Sequence, residues 1–183
     1  MKILHANRYQ FLNYFIKQGS VGAEIGVHRG DLSQIIVGFN PKKLYLIDCW
    51  RSYSQYDSEP QFNYDNHKNN LRLVSNRLHF QIENGMVEII NDFSVNASKN
   101  NSIEPLDWFY LDANHQKEFC LEDLIAWKDK LKPDGFIMGH DYEHRPSEQY
   151  GVIEAVAEFC KKYKWEIEYL CSGDTSYILK RKK

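Results

Sequence analysis

Residues 21–30 read Val-Gly-Ala-Glu-Ile-Gly-Val-His-Arg-Gly, and the architecture of the chain can be worked out from this segment. Its apolar run predicts a buried strand that ends at Gly26, and residues 31–37 predict a helix after Gly30. Gly26 permits a sharp turn that leaves room for a ligand, and Gly30 permits close packing of the helix. The spacing G-x-x-x-G is not the dinucleotide-binding pattern G-x-G-x-x-G, so a ligand loop and an ordinary strand–helix turn are equally compatible with it.

Three further apolar runs end in polar side chains in the same manner. They are residues 46–48 (Leu-Ile-Asp), 110–115 (Tyr-Leu-Asp-Ala-Asn-His) and 138–141 (Met-Gly-His-Asp). In an open α/β sheet the carboxyl ends of buried parallel strands meet at one edge, and ligands bind there. Four polar strand ends indicate one shared crevice and favour an enzyme.

The chain alternates between strand and helix patterns from end to end. This alternation predicts an α/β fold with a doubly wound, mostly parallel seven-stranded sheet and an antiparallel edge strand. We expect one domain over residues 1–183, in which residues 1–18 form an N-terminal helix. The predicted strands are 21–25, 43–47, 78–82, 107–111, 136–138, 165–170 and 176–179, and the predicted helices are 8–17, 31–37, 66–78, 86–93, 118–131 and 151–163.

Residues 50–64 are rich in Ser, Tyr, Gln and Asp and show neither helical nor alternating periodicity. A loop of this length inside a compact domain is typical of a lid, and its aromatic side chains would exclude water from a bound substrate. An interface with a partner is the alternative role for these aromatic residues. They are Trp50, Tyr53, Tyr56 and Tyr64.

The net charge of −2 offers no global field for nucleic acid or an anionic membrane, so neither is expected as a partner. The basic tail at residues 180–183 is interpreted as a solvated terminus. The four cysteines are scattered without a C-x-x-C pair, which favours a reduced, cytoplasmic protein. No apolar run predicts a membrane span or a signal peptide. Homo-oligomerisation is left open.

Two groups of residues carry the chemistry. Asp48 follows Gly26 by about 20 residues, the spacing at which a carboxylate accepts hydrogen bonds from adenosine ribose hydroxyls, with a turn or cap aspartate as the alternative. Asp112, His140 and Asp141 lie at neighbouring strand ends and would ligate a divalent cation, while His115 would face the same pocket. A hydrogen-bonded polar crevice without metal is the alternative.

With these motifs in place, the chain resembles a class I S-adenosylmethionine-dependent methyltransferase. The likeness rests on the E-I-G-x-x-x-G loop, Asp48, the L-D-A-N-H segment and G-H-D-Y at residues 139–142, and it runs from about residue 21 to residue 159. It is similar to a small bacterial group, methyltransferase domain 24-like, that carries I-D-x-D-H-x-Y-E and G-H-D-Y. The resemblance implies a Rossmann-like methyltransferase fold, S-adenosylmethionine as cofactor and O-methylation of a small-molecule or saccharide hydroxyl.

The resemblance also implies roles for individual residues. By similarity to the metal-dependent catechol O-methyltransferase type, Mg²⁺ or Mn²⁺ would bind at Asp112, His140 and Asp141. His115 would stand where that type carries its basic lysine, and with an ordinary pKa of about 6.5 it would be neutral at pH 7 and act as general base beside Asp112. The chain departs from the pattern at Asn114 and at residues 116–117. The implied cofactor-binding residues are Glu24, Gly26, Gly30, Asp48, Asn84, Gly85, Met86 and Asp112, with Asn84 to Met86 near the adenine.

Two other functions compete with this one. Asp48 would serve an NAD-dependent oxidoreductase equally well, but the middle glycine of the dinucleotide pattern is missing. A methyltransferase fold that only binds a partner is the non-enzymatic alternative, and Asp48, Asp112 and Asp141 count against it.

Overall fold

The structure of the protein, a computed structural model, describes residues 1–51, 64–144 and 150–182. Within these ranges no helix has both the length and the apolar character needed to span a bilayer. The strands are β1 (Lys2–Leu4), β2 (Val21–Ile25), β3 (Lys43–Asp48), β4 (Val87–Asn91), β5 (Leu106–Leu111), β6 (Leu131–Gly139), β7 (Trp165–Cys171) and β8 (Tyr177–Arg181). The helices are α1 (Arg8–Phe15), α2 (Asp31–Val37), α3 (Tyr64–Arg77), α4 (His79–Glu83), α5 (Ser94–Ala97), α6 (Lys117–Trp127) and α7 (Val152–Tyr163), and a 3₁₀ turn covers Lys128–Lys130.

The eight strands form one sheet in the order β1-β7-β8-β6-β5-β2-β3-β4. All neighbouring pairs are parallel except those that involve β8, which runs against β6 and β7. The predicted fold class is confirmed. The structure adds β1, an eighth strand within the segment predicted as an N-terminal helix, because three residues are too few to reveal a strand pattern without their partner β7.

The first strand of the parallel core, β2, is buried along its whole length. Ala23 and Ile25 point into the core beneath α6 and α7, while the small Gly22 lies on the opposite face, towards α1, α2 and α3. A Cβ at Gly22 would lie 2.2 Å from the ring of Trp108, so the indole packs directly on the backbone there. Helices therefore cover both faces of the sheet, and the ends of the strands stay accessible to a ligand.

Residues 78–93 differ from the prediction. The predicted strand 78–82 is α4, and the predicted helix 86–93 contains β4, which pairs in parallel with β3. Short apolar runs do not distinguish strand from helix by periodicity, and Val87, Ile89 and Ile90 become a strand because β3 offers them a hydrogen-bonding edge.

The turn after β2 depends on Gly26. Its φ is +89°, and a Cβ at this position would lie 2.0 Å from the carbonyl oxygen of Asp112. The backbone N–H of Gly26 donates to Ile47 O at 2.9 Å, and that of Asp112 donates to Ile25 O at 2.9 Å. The missing side chain is what lets the ends of β2, β3 and β5 meet.

Gly26→Ala is therefore expected to destabilise the fold by more than the penalty of a left-handed alanine, about 1–2 kcal/mol. Gly19→Ala is the matched control, because Gly19 has a φ of +77° but nothing within 4 Å of its would-be Cβ. Thermal and urea unfolding of both variants measure the difference. Equal losses of stability would show that the Asp112 backbone yields without cost.

Candidate functional site

The carboxyl ends of β3, β5 and β6 bring together most of the predicted polar residues. Asp48 ends β3, Asp112 follows β5, and His140 and Asp141 follow β6. His115 lies three residues beyond Asp112, just before α6, and reaches the same pocket. These side chains form the candidate site.

Asp48 organises the turn that leads out of β2. Its Oδ2 accepts hydrogen bonds from the backbone N–H groups of Val27 at 3.0 Å and His28 at 2.8 Å, and its Oδ1 accepts one from Trp50 N–H at 2.8 Å. A carboxylate has about four acceptor positions, so one remains for a ligand hydroxyl. The ribose-binding role stays a prediction, and the structure gives Asp48 a second task in ordering the loop.

Glu24 is buried beneath the same turn, with 1% of its surface exposed. Its Oε2 accepts a hydrogen bond from Ser33 Oγ at 2.6 Å. Burial raises the pKa of Glu24 to about 8, the Ser33 hydrogen bond opposes that shift, and the charges of Asp112 and Asp48 add to it.

Gly30, with a φ of +76°, precedes α2, and its would-be Cβ lies 3.0 Å from Val74, so it serves close helix packing as expected.

Asp141 is the centre of the histidine cluster in the site. One carboxylate oxygen, Oδ2, lies 2.8 Å from His115 Nε2 and 3.1 Å from His140 Nδ1. Burial alone would raise the pKa of Asp141, but the two imidazoles hold it far below its usual range. The backbone of Asp141 has a φ of +57°, and such local strain is typical of functional sites.

His115 stacks on Tyr150 with ring centroids 4.9 Å apart and an angle of 5° between the rings. Burial lowers its pKa, but Asp112 and Asp141 outweigh that effect and raise the pKa to about 9. The expectation of an imidazole that is neutral at pH 7 is wrong, because sequence spacing does not reveal that two carboxylates face the ring.

His140 is held by groups on both sides of its ring. Its Nδ1 faces Asp141, and its Nε2 contacts Arg8 Nη2 and lies 3.3 Å from Thr175 Oγ1. Asp174 Oδ1 lies 3.5 Å from the same nitrogen. Sequence reasoning missed Arg8 and Asp174, since neither follows a strand of the parallel core and no motif marks them.

The described residues offer one compact set of metal-ligand atoms. Asp112, His115 and Asp141 place one ligand atom each within 4.8 Å of one another. His140 is not in this set, although its Nδ1 lies 3.1 Å from Asp141 Oδ2 and 3.9 Å from Asp112 Oδ2. The predicted combination of Asp112, His140 and Asp141 stays a prediction, and His115 is an alternative third ligand for the two carboxylates.

Asn84, Gly85 and Met86 are not part of this site. They precede β4 and line a groove of about 450 Å³ with residues 18–19 and 40–42, at the amino ends of the strands. Their placement near the adenine depended on the strand at 78–82, which is α4.

Asp92 directly follows β4 and is the residue at the carboxyl edge that the incorrect strand assignment concealed. Its Oδ1 accepts a hydrogen bond from Phe93 N–H at 2.7 Å.

The candidate lid lies mostly outside the described residues, including Tyr53 and Tyr56. Trp50 is described, and it is 4% exposed, with its Nε1 donating to His28 O at 2.8 Å. Trp50 thus packs beneath the Gly26 turn, whereas Tyr64 begins α3.

The chain is similar to known proteins both in sequence pattern and in fold. A sequence model of a family described as a methyltransferase domain matches residues 23–142. Among curated protein sequences there is no significant relative. A solved structure of a candidate rRNA methylase from Clostridium thermocellum is 13% identical, with a TM-score of 0.68 and 98% of each chain covered.

Two further solved structures share the fold. An rRNA methylase from Streptococcus thermophilus is 17% identical, with a TM-score of 0.63 and coverage of 96% of this chain and 94% of its own. TrmK from M. capricolum, in complex with the cofactor product S-adenosylhomocysteine, is 16% identical, with a TM-score of 0.64 and coverage of 95% and 66%. At identities this low, the structural similarity establishes a shared fold and nothing more.

The exclusion of nucleic acid as a partner is corrected by these structures. Proteins named as rRNA methylases match this chain over nearly its whole length, so the expectation drawn from net charge is wrong. Overall charge is a poor criterion, because a local basic surface can bind a phosphate backbone on a protein that is negative overall.

The buried carboxyl of Glu24 generates a stability prediction. Because its pKa is raised to about 8, its contribution to stability is largest at acidic pH and is lost as the pH rises from its ordinary value towards 8. Glu24→Gln keeps an acceptor for Ser33 without the charge, so its melting temperature relative to wild type should be higher at pH 9 than at pH 5. Glu104→Gln, at a half-exposed ion pair, is the control. The same difference at both pH values would show that Glu24 is not buried as a neutral acid.

Proposed function

Since this chain belongs to the methyltransferase domain family, we propose that it transfers the methyl group of S-adenosylmethionine to a hydroxyl group of its acceptor. The observation that carries the proposal is the pairing of His115 with Asp141, 2.8 Å apart where β5 and β6 end. An imidazole held by carboxylates is suited to accept the proton of a hydroxyl nucleophile.

The residues around the Gly26 turn fit this cofactor. S-adenosylmethionine supplies an electrophilic methyl group on a positively charged sulfur, and it carries a ribose with two hydroxyls. Asp48 retains acceptor capacity for one of these hydroxyls. Asp48 and Asp112 lie close enough to Glu24 for their charges to raise its pKa, so two carboxylates stand near this turn and favour a sulfonium cation. Asp92 follows β4 at the same carboxyl edge, so it replaces residues 84–86 as the candidate for the adenine side.

His115 acts on the acceptor. It takes the hydroxyl proton while the acceptor oxygen forms the new bond to the methyl carbon, and the sulfur keeps the electron pair of the bond that breaks. Asp141 and Asp112 stabilise the imidazolium that results, as the raised pKa of His115 indicates. Alignment of the oxygen with the methyl carbon supplies much of the remaining rate enhancement.

A divalent cation at Asp112, His115 and Asp141 is a second candidate for activating the hydroxyl. The set of two carboxylates and one imidazole, with ligand atoms within 4.8 Å of one another, favours it and suits Mn²⁺ somewhat better than Mg²⁺. When bound, such an ion stabilises a developing oxyanion as a Lewis acid. It would also occupy His115, so His115 is either the base or a ligand.

Transfer of a labelled methyl group to a panel of acceptors tests the proposed reaction. Sugars and small phenols represent hydroxyl acceptors of low mass, and RNA is included because of the fold shared with rRNA methylases. Label on an oxygen supports the proposal. Label found only on nitrogen or carbon would contradict O-methyl transfer while leaving the methyltransferase assignment in place.

Asp48→Asn should weaken binding of S-adenosylmethionine by about 10–100-fold, since a charge-assisted hydrogen bond contributes about 1.5–3 kcal/mol. Calorimetry measures this effect. The matched control is Asp107→Asn, because Asp107 also accepts a backbone hydrogen bond, from Val21 N–H at 2.7 Å, but lies at the amino end of β5, away from the carboxyl edge. Unchanged affinity would remove Asp48 from the cofactor site, and binding of NAD instead would favour the oxidoreductase.

His115→Ala should lower kcat by about 10²–10⁴-fold with little change in cofactor affinity. Because the free base is the active form, the wild-type rate should rise with pH until about 9, where the imidazole loses its proton. The exposed His79 provides the control variant His79→Ala. Full activity in EDTA with this pH profile supports the base, whereas loss in EDTA that Mn²⁺ restores would assign His115 as a metal ligand.

A further inference from the structure

Two charged residues of the site come from parts of the chain that the family model does not cover. Arg8 begins α1 and Asp174 lies in the turn between β7 and β8, whereas the family match ends at residue 142 and begins at residue 23. They meet at the carboxyl edge, next to His140.

Arg8 and Asp174 form a geometrically defined ion pair. Arg8 Nε donates to both carboxylate oxygens of Asp174, at 3.0 Å and 3.1 Å. Arg8 Nη2 contacts His140 Nε2, and Nη1 lies 3.7 Å from Asp112 Oδ2. The second oxygen of Asp174 also accepts a hydrogen bond from Ser176 Oγ at 2.7 Å. The guanidinium thus spans three groups of the site with the fixed fork that only arginine offers.

The backbone around Arg8 is itself fixed against the hairpin. Ser172 N–H donates to Leu4 O at 3.1 Å, beyond the end of the pairing between β1 and β7. A Cβ at Gly173 would lie 2.3 Å from Ala6 O, so the N-terminal segment packs directly on the turn. The position of Arg8 is therefore fixed by packing of the N-terminal segment against the β7–β8 turn.

The contacts continue from this pair to the proposed base. Arg8, Asp174 and Thr175 hold His140 Nε2, and His140 Nδ1 lies 3.1 Å from Asp141 Oδ2. The same oxygen lies 2.8 Å from His115 Nε2. Any rotation of His140 therefore disturbs the carboxylate that orients His115.

We propose that Arg8 and Asp174 are positioning residues for methyl transfer, which fix the imidazole of His140 and through it the Asp141 carboxylate that orients His115. This inference rests on the proposed function. Neither residue is assigned to the cofactor or to proton transfer. The N-terminal segment and the β7–β8 turn would then complete a site whose reacting groups lie between residues 23 and 142.

Four variants test the proposal: Arg8→Met, Arg8→Lys, Asp174→Asn and the double variant Arg8→Met/Asp174→Asn. Each single neutralising variant should lower kcat by up to about 100-fold, the effect of a displacement of about 1 Å in a reacting group. The dissociation constant of S-adenosylhomocysteine should stay within about twofold, because the Gly26 turn is not touched. The double variant should be little worse than either single one, since both act through His140. Arg8→Lys should restore only part of the rate, because an ammonium cannot contact Asp174 and His140 as a planar fork does.

Lys42→Met is the control, because it breaks an exposed ion pair with Glu104 at 3.1 Å, away from the site. Thermal unfolding identifies any variant that fails to fold, and Arg8→Lys keeps the charge for that case. Histidine-ring ¹⁵N NMR at one pH reports on the protein without cofactor. The ring signals of His115 and His140 should shift in Arg8→Met and Asp174→Asn and remain unchanged in Lys42→Met.

The outcomes separate this inference from the proposed function. Unchanged kcat or unchanged histidine signals in folded Arg8→Met and Asp174→Asn would overturn the positioning role. Losses of rate that match losses of thermal stability, with the histidine signals unchanged, would also overturn it. Should the wild-type protein methylate no hydroxyl, the proposed function fails, while the NMR comparison still decides whether these residues hold His140 and His115.

Discussion

The ends of the central strands are held together by backbone hydrogen bonds that continue one residue past the sheet. Gly26 N–H donates to Ile47 O, Asp112 N–H to Ile25 O and His140 N–H to Leu111 O, at 2.9–3.1 Å. This registration requires a glycine at position 26, because a Cβ there would overlap the Asp112 carbonyl. The side chains that follow the strands are therefore fixed relative to one another by the backbone, before any of them interacts.

Charge compensation explains the next layer of the site. Three carboxylates, those of Asp112, Asp141 and Asp174, lie within one half-buried cluster, and burial without partners would be costly. His115 and His140 share one oxygen of Asp141, and Arg8 pairs with Asp174. His115 thereby gains a proton more readily, so it is a stronger base whose free form is populated at alkaline pH, and it has less affinity for a cation than an unperturbed imidazole would have.

The sequence predicted the parts of this arrangement that follow from local pattern. Long apolar runs ending in Gly26, Asp48, Asp112 and Asp141 were sufficient to predict a parallel sheet and the edge at which a site forms. The strand at 87–91 was missed because a short run is decided by its neighbour β3. The raised pKa of His115 and the arrival of Arg8 and Asp174 depend on contacts between distant segments, which no spacing encodes.

A division of labour follows from where these segments lie in the chain. Residues 23–142 supply the Gly26 turn, Asp48 and the His115–Asp141 pair, to which the proposed function assigns cofactor binding and proton transfer. The flanking strands β1, β7 and β8 with helix α1 supply Arg8 and Asp174, which lie against His140 at the same edge. Function on a widely used fold resides in such additions, because the sheet itself is compatible with many acceptors. Differences in acceptor among proteins of this fold are therefore expected to map to the flanking segments more than to the central strands.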